Sequence, residues 1–222
     1  MFDAVIITFT IELVLLFILS RVLINEWYLL LRLGIKNNRI VFGLIAFVFF
    51  PGTIIHELSH YFAATILFLR IHEVVIIPSI EGNKLKLGHV TYEKTDVIRS
   101  ILVGVAPFFG AMGIFIMIGK FNLFPGDNIY TALIFGYLIF TIAIQMFSSH
   151  EDLVDLIYLI PLGIIAYFII FFFRIKISFS FIRPSTTLHG LVKQVQFYIT
   201  SVLIMCVFAV VFFKSLRVII KK

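Results

Sequence analysis

Long apolar segments separated by short polar ones make up most of the chain. The apolar segments lie at about 5–23, 40–69, 99–118, 129–147, 156–173 and 195–213. As helices they are long enough to cross a hydrocarbon core of about 30 Å. The pattern therefore predicts an α-helical integral membrane protein, with about six transmembrane helices in one polytopic domain over residues 1–222. No small-residue cleavage site follows the segment 5–23, so it is predicted to stay as a membrane span.

Residues 70–96 depart from this pattern. Glu73–Pro78 and Lys84–Tyr92 are rich in residues that favour strands, and Glu81-Gly82-Asn83 between them is turn-forming. The sequence therefore predicts a β-hairpin at residues 73–93, inserted between two membrane helices.

The segment 40–69 is longer than one membrane crossing needs. Pro51-Gly52 lies in its middle. A proline lacks the amide hydrogen of the helix ladder, and its ring clashes with the carbonyl four residues earlier. We therefore expect a kink or an interruption there, with a distinct helix from Thr53 to Leu69.

Composition and charge exclude several classes of protein. Hydrophobic residues make up 61% of the chain and charged residues 14%, against roughly 45–50% and about 25% in soluble domains. The net charge is +6, but Lys and Arg lie in short groups between the apolar segments, which is typical of membrane flanks and predicts no nucleic-acid partner. These groups fall on both predicted faces, so they assign no orientation. Cys206 is the only cysteine, which excludes an intramolecular disulfide.

One motif carries chemistry: His56-Glu57-Leu58-Ser59-His60 has the pattern H-E-x-x-H. On a helix, residues four apart share a face, so His56 and His60 can bind one Zn²⁺, and Glu57 is placed to act on a water molecule at the metal. Ionisable side chains inside an apolar helix are costly and indicate a functional site. The alternative is that these side chains only form hydrogen bonds to neighbouring helices.

A catalytic zinc site needs a third protein ligand. The segment 148–152 concentrates suitable side chains between two apolar helices, with Asp152 the first choice and Asp155 and His150 next. The same segment also fits a helix capping box, in which Ser149 is the N-cap, and the two interpretations are compatible. By residue type the possible ligands are His72, Glu73, His89, His150, Glu151, Asp152, Asp155 and His189.

An H-E-x-x-H motif on a membrane helix, a β-hairpin after it, a helix with Gly and Pro and a late Asp-bearing segment occur here in the order found in the site-2 protease family. The chain resembles this family of intramembrane zinc metalloproteases over roughly residues 40–173. The resemblance implies that His56 and His60 bind zinc and that Glu57 is the catalytic base.

The family's second motif, N-x-x-P-x-x-x-x-D-G, matches less well. Its nearest counterpart runs from Gln145 to Asp152, with Gln for Asn, Ser148 for Pro, one residue fewer and no Gly. Carried over by position, the motif implies Asp152 as the third ligand and a divergent member of the family. The implied parts are a metalloprotease core at 39–173, its hairpin at 73–93 and an additional C-terminal transmembrane helix at 195–213.

The family's hairpin offers an edge strand to the substrate. By this resemblance Val74, Val75, Ile76 and Ile77, or alternatively the strand at 85–92, bind an extended peptide segment of a membrane protein. A transmembrane helix hides its peptide bonds, and an unpaired strand edge stabilises the unwound form by backbone pairing. The alternative is a hairpin that only lies in the membrane interface.

Other features leave two interpretations open as well. Four small or helix-breaking residues either bend the helix beside the site or allow close helix packing: Gly104, Pro107, Gly110 and Gly113. The protein as a whole is expected to be a zinc metalloendopeptidase with a water-accessible pocket that opens toward the hairpin. A non-catalytic zinc scaffold or carrier is the alternative, but a closed structural site has no use for a base such as Glu57.

Overall fold

The computed structural model describes residues 2–76, 79–81, 84–86, 88–93, 96–126, 128–147, 172 and 186–220. These residues form five helices, α1 (Phe2–Gly34), α2 (Asn38–Ile66), α3 (Val97–Lys120), α4 (Ile129–Gln145) and α5 (Thr186–Ile220). Four of them contain stretches long and apolar enough to cross a membrane, at Ile7–Gly34, Asn38–Ile66, Val97–Lys120 and Gly190–Ile220, whereas α4 has 17 residues. The helical, multi-pass architecture agrees with the prediction. The predicted span at 156–173 lies outside the described residues apart from Phe172, so about six spans stays a prediction.

Helix α1 continues well past its predicted end. Glu26 lies on it and forms an ion pair with Arg217 of α5, at 3.2 Å. Nearer the start of both helices, the Thr200 hydroxyl donates a hydrogen bond to Glu12 at 3.0 Å. Since both contacts advance in the same direction along the chain, α1 and α5 run parallel. Polar partners on α5 thus bind carboxylates that would otherwise be costly inside an apolar helix.

The core of the bundle is apolar and aromatic. Trp27 of α1 packs edge-on against Phe49 of α2, with ring centroids 5.6 Å apart, and stacks on Phe213 of α5 at 5.7 Å. Phe115 of α3 and Tyr198 of α5 are fully buried and meet edge to face. Residues from all five described helices form one continuous core, beside which α2 carries its polar motif.

Helix α2 runs unbroken through Pro51. The predicted interruption, and the separate helix from Thr53 to Leu69, are wrong. The physical reason is that a neighbouring helix can satisfy backbone groups near a proline in an apolar bundle. The Tyr137 hydroxyl of α4 donates a hydrogen bond of 2.7 Å to the Val48 carbonyl, one residue beyond the carbonyl that Pro51 leaves without its amide donor.

The predicted β-hairpin is present between α2 and α3. Its strands are β1 (Ile71–Val75), β2 (Ser79–Glu81), β3 (Lys84–Lys86) and β4 (His89–Tyr92). β1 pairs with β4 and β2 with β3, both antiparallel, so the hairpin has two ladders with an interruption between them. The predicted turn residues Gly82 and Asn83 lie outside the described residues. Ile71 of β1 and Tyr92 of β4 pack on the buried Ala64 and Leu69. The β1–β4 ladder therefore lies against the end of α2.

Candidate metal and catalytic site

The H-E-x-x-H motif lies in the last three turns of α2. His56 and His60 share one face of the helix, and their ring centroids are 4.8 Å apart. Their Nε2 atoms lie 3.1 Å apart. Glu57 and His60 are buried, with exposed fractions of 6% and 5%.

A backbone carbonyl from a different helix holds each imidazole. His56 Nδ1 lies 2.7 Å from the carbonyl oxygen of Gln145, the last residue of α4, where helix carbonyls lack an intrahelical donor. His60 Nδ1 lies 2.9 Å from the carbonyl oxygen of Val103 in α3. Because a carbonyl oxygen can only accept, Nδ1 of each ring carries the proton. In the neutral rings Nε2 is therefore the unprotonated nitrogen.

This arrangement fits two ligands of one zinc ion. Two unprotonated nitrogens 3.1 Å apart repel each other unless a cation is shared between them. Tetrahedral zinc with Zn–N bonds of about 2.0–2.1 Å holds its ligand nitrogens about 3.3 Å apart. Zinc-binding histidines also typically donate their other ring N–H to a carbonyl or carboxylate, which fixes the tautomer. His56 and His60 therefore satisfy both the spacing and the tautomer that zinc needs.

A third zinc ligand is not identified among the residues that the structure describes. Within them, no group of three or more His, Cys, Asp or Glu side chains is arranged to hold a metal, so His72, Glu73 and His89 do not complete the site. The other possible ligands lie outside the described residues or, for His189, have no described side chain: His150, Glu151, Asp152, Asp155 and His189. The segment that starts at 148 follows Gln145 closely, and Gln145 contacts His56.

The hairpin lies directly over Glu57. A Cβ added to Gly88 would fall 2.8 Å from Glu57 Cγ, 3.0 Å from Glu57 Oε1 and 2.9 Å from the Val75 carbonyl oxygen. Only glycine fits there without a shift of the strand or of the glutamate. The hairpin therefore lies against Glu57. The expected water-accessible pocket around His56, Glu57, His60 and Asp152 stays a prediction, because Asp152 lies outside the described residues. Sequence reasoning missed Gly88, although a glycine beside a strand often marks a close backbone approach.

The predicted substrate-binding residues lie on β1 and just after it. Val74 is 38% exposed, Val75 and Ile76 are half-buried, and Ile77 lies outside the described residues. Among the described strands β1 pairs only with β4. Peptide binding at the other edge of β1 stays a prediction.

Helix α3 packs closely on α2 beside the motif. A Cβ on Gly110 would fall 2.1 Å from the Ser59 hydroxyl oxygen, whereas one on Gly113 would meet no atom within 4 Å. Gly110 thus serves close helix packing, one of the two roles expected for the small residues of this helix. The contact brings α3 near enough for Val103 to reach His60.

Comparisons with protein-family models, with curated proteins and with solved structures each found no match to this chain. Membership of the site-2 protease family stays a prediction, which rests on the order of the elements and on His56, Glu57 and His60.

Proposed function

We propose that this protein is a zinc metalloendopeptidase that hydrolyses peptide bonds in or next to the membrane. The observation that carries the proposal is the pair of histidine Nε2 atoms 3.1 Å apart, with each Nδ1 held by a backbone carbonyl. Glu57 adjoins this pair on the same helix. A purely structural zinc site needs the histidines but not the glutamate.

His56, His60 and Asp152 are the proposed ligands. The zinc ion they hold would polarise the peptide carbonyl and lower the pKa of water toward about 7. In the reaction His56 and His60 keep their Nδ1 protons on the carbonyls of Gln145 and Val103, so neither ring competes for the proton being moved.

Glu57 is the proposed general base. Its carboxylate takes the proton of the attacking water and passes it to the amine that leaves. Its burial under Gly88 limits the bulk water around the carboxylate, and electrostatic interactions are stronger in such an environment.

The proposed substrate is a membrane protein or peptide in extended form along Val74, Val75, Ile76 and Ile77. β1 supplies backbone groups there for pairing, and the apolar side chains suit a segment drawn from the bilayer. Because Gly88 covers Glu57, we propose that the hairpin shifts when a peptide enters.

The test combines metal analysis with hydrolysis. Wild-type protein purified in detergent should carry one zinc and cleave model transmembrane peptides, with activity that a chelator removes and zinc restores. His56→Ala should lose zinc and cleavage together. His72→Ala is the matched control, because His72 is exposed and belongs to no metal-binding group among the described residues, and it should retain both.

Two outcomes would contradict the proposal. If the purified wild-type protein carries no zinc, both the zinc metalloendopeptidase and the zinc scaffold are excluded. Stoichiometric zinc with no hydrolysis of any of the transmembrane peptides would favour the non-catalytic scaffold or carrier.

A further inference from the structure

Helix α3 contains a proline, Pro107, at a fully buried position. Proline has no amide hydrogen, so it cannot donate to the carbonyl four residues before it, and its ring pushes against that carbonyl. The carbonyl in question belongs to Val103, whose side chain is fully buried. A buried carbonyl almost always has a hydrogen-bond partner, so this one requires a donor from outside its own helix.

His60 supplies that donor. Its Nδ1 lies 2.9 Å from the Val103 carbonyl oxygen, across the contact between α2 and α3. In a regular helix the amide of residue 107 would occupy this oxygen and keep it aligned with the helix axis. The missing amide at Pro107 therefore leaves the Val103 carbonyl as the acceptor that fixes the His60 ring.

We propose that Pro107 is a positioning residue for His60. By removing the amide donor of the Val103 carbonyl, it holds His60 in the tautomer with a proton on Nδ1 and directs Nε2 toward His56. The part of this inference that concerns zinc rests on the proposed function, whereas the orientation of the ring does not require a metal.

A carbonyl oxygen has two lone pairs, so an amide restored at position 107 would share the Val103 oxygen with His60 rather than displace it fully. Removal of the ring would also relieve the pressure on that carbonyl. The hydrogen bond to His60 should weaken but need not disappear. Partners of this kind typically change metal affinity by about 10–100-fold.

The chain offers a matched control. Pro51 lies inside α2 as Pro107 lies inside α3, and it frees the carbonyl of Phe47 rather than one that contacts a histidine. The side chain of Phe47 is 78% exposed, on the outside of the bundle. Pro51→Ala therefore reports the general effect of removing a helix proline from this protein.

The first experiment measures zinc affinity of the purified full chain by competition with a chromophoric chelator. Pro107→Ala should weaken zinc binding by about 10-fold, the lower end of the cost of losing such a partner, whereas Pro51→Ala should bind as the wild type does. Lactic acid at position 107, the hydroxy analogue of alanine, has neither the ring nor an amide hydrogen and should bind zinc more tightly than Pro107→Ala does. Unchanged affinity in Pro107→Ala, or an equal loss with lactic acid, would overturn the proposal.

The second experiment needs no metal. NMR of zinc-free protein with isotope-labelled histidine reports the tautomer of each ring, and comparison with His60→Gln assigns the His60 signals among the six histidines. Pro107→Ala should shift His60 away from the Nδ1-protonated form, and Pro51→Ala should not. If Pro107→Ala shifts the His60 tautomer but the wild-type protein does not bind added zinc, only the proposed function is refuted. If the wild-type protein shows zinc-dependent hydrolysis but Pro107→Ala leaves the His60 tautomer unchanged, only the role of Pro107 is refuted.

Discussion

Gly52 of α2 lies against the backbone of Thr141 in α4, so closely that a Cβ on Gly52 would fall 2.2 Å from the Thr141 carbonyl oxygen. One turn further along both helices, His56 Nδ1 meets the Gln145 carbonyl oxygen at 2.7 Å. The close packing of Gly52 on the Thr141 backbone therefore sets the distance between His56 Nδ1 and the Gln145 carbonyl oxygen. A glycine without catalytic chemistry in this way controls the orientation of a proposed zinc ligand.

Gly52→Ala is expected to push α4 away from α2, because the obstacle is backbone rather than a flexible side chain. Overpacking of this kind costs about 1–3 kcal/mol, and the shift should also lower zinc occupancy by moving Gln145 from His56. Thermal unfolding in detergent and metal analysis measure the two effects.

Gly43→Ala is the matched control, since a Cβ there would meet no atom within 4 Å. Alanine is a better helix former than glycine by about 1 kcal/mol, so this variant should be as stable as the wild type or more so. A Gly52→Ala protein with wild-type stability and full zinc would show that α2 and α4 do not position His56 as described.

Glu57→Gln should keep zinc and lose hydrolysis, because glutamine preserves the shape of the side chain but cannot take a proton at neutral pH. The expected loss is about 10²–10⁴-fold in rate, the usual contribution of a general base. Glu73→Gln, at an exposed position on β1, is the control and should remain active. Zinc-dependent cleavage at the wild-type rate in Glu57→Gln would remove Glu57 from the mechanism.

The local part of this site could be predicted from the sequence, and the long-range part could not. His56 and His60 share a face because of helix periodicity alone. Their carbonyl partners lie 89 and 43 positions away along the chain, and no local pattern shows which carbonyl each histidine contacts. The error at Pro51 has the same origin. The rule that proline interrupts a helix is local, whereas the packing of α4 against α2 depends on residues far along the chain.

The hairpin shows the same division. Strand-favouring and turn residues were enough to place the hairpin, since these are local signals. They did not predict its division into two ladders, in which β2 (Ser79–Glu81) covers residues predicted to lie outside the strands. The contact between Gly88 and Glu57 depends on how the hairpin packs against α2. No pattern in residues 70–96 predicts that packing.

Gly88→Ala should shift either the hairpin or the Glu57 carboxylate, because the new methyl group would contact both Glu57 and the Val75 carbonyl. Misplacement of a reacting group by about 1 Å can cost about 10²-fold in rate, so we expect a loss of that order in hydrolysis with zinc retained. Gly113→Ala, at an open position, is the control for the assay. Full activity in Gly88→Ala would mean that the hairpin does not bear on Glu57 during the reaction.

Asp152→Ala should lower zinc occupancy markedly, and Asp155→Ala and His150→Ala should do so less. The physical reason is that a catalytic zinc needs a third protein ligand, and the segment 148–152 follows Gln145 closely. Metal analysis of the three variants side by side decides between them. If Asp155→Ala or His150→Ala loses zinc while Asp152→Ala retains it, the ligand is that residue instead.

The polar contacts between α1 and α5 set an order for the biogenesis of the protein. Glu12 and Glu26 of α1 have hydrogen-bond partners that lie 188 and 191 residues later in the chain. Ribosomes deliver the chain from its amino-terminal end, so α1 is synthesised long before Thr200 and Arg217 exist. Until they arrive, its two carboxyl groups depend on lipid headgroups, water or an insertion factor. A chain arrested before α5 therefore lacks the partners that both carboxylates have in the complete molecule.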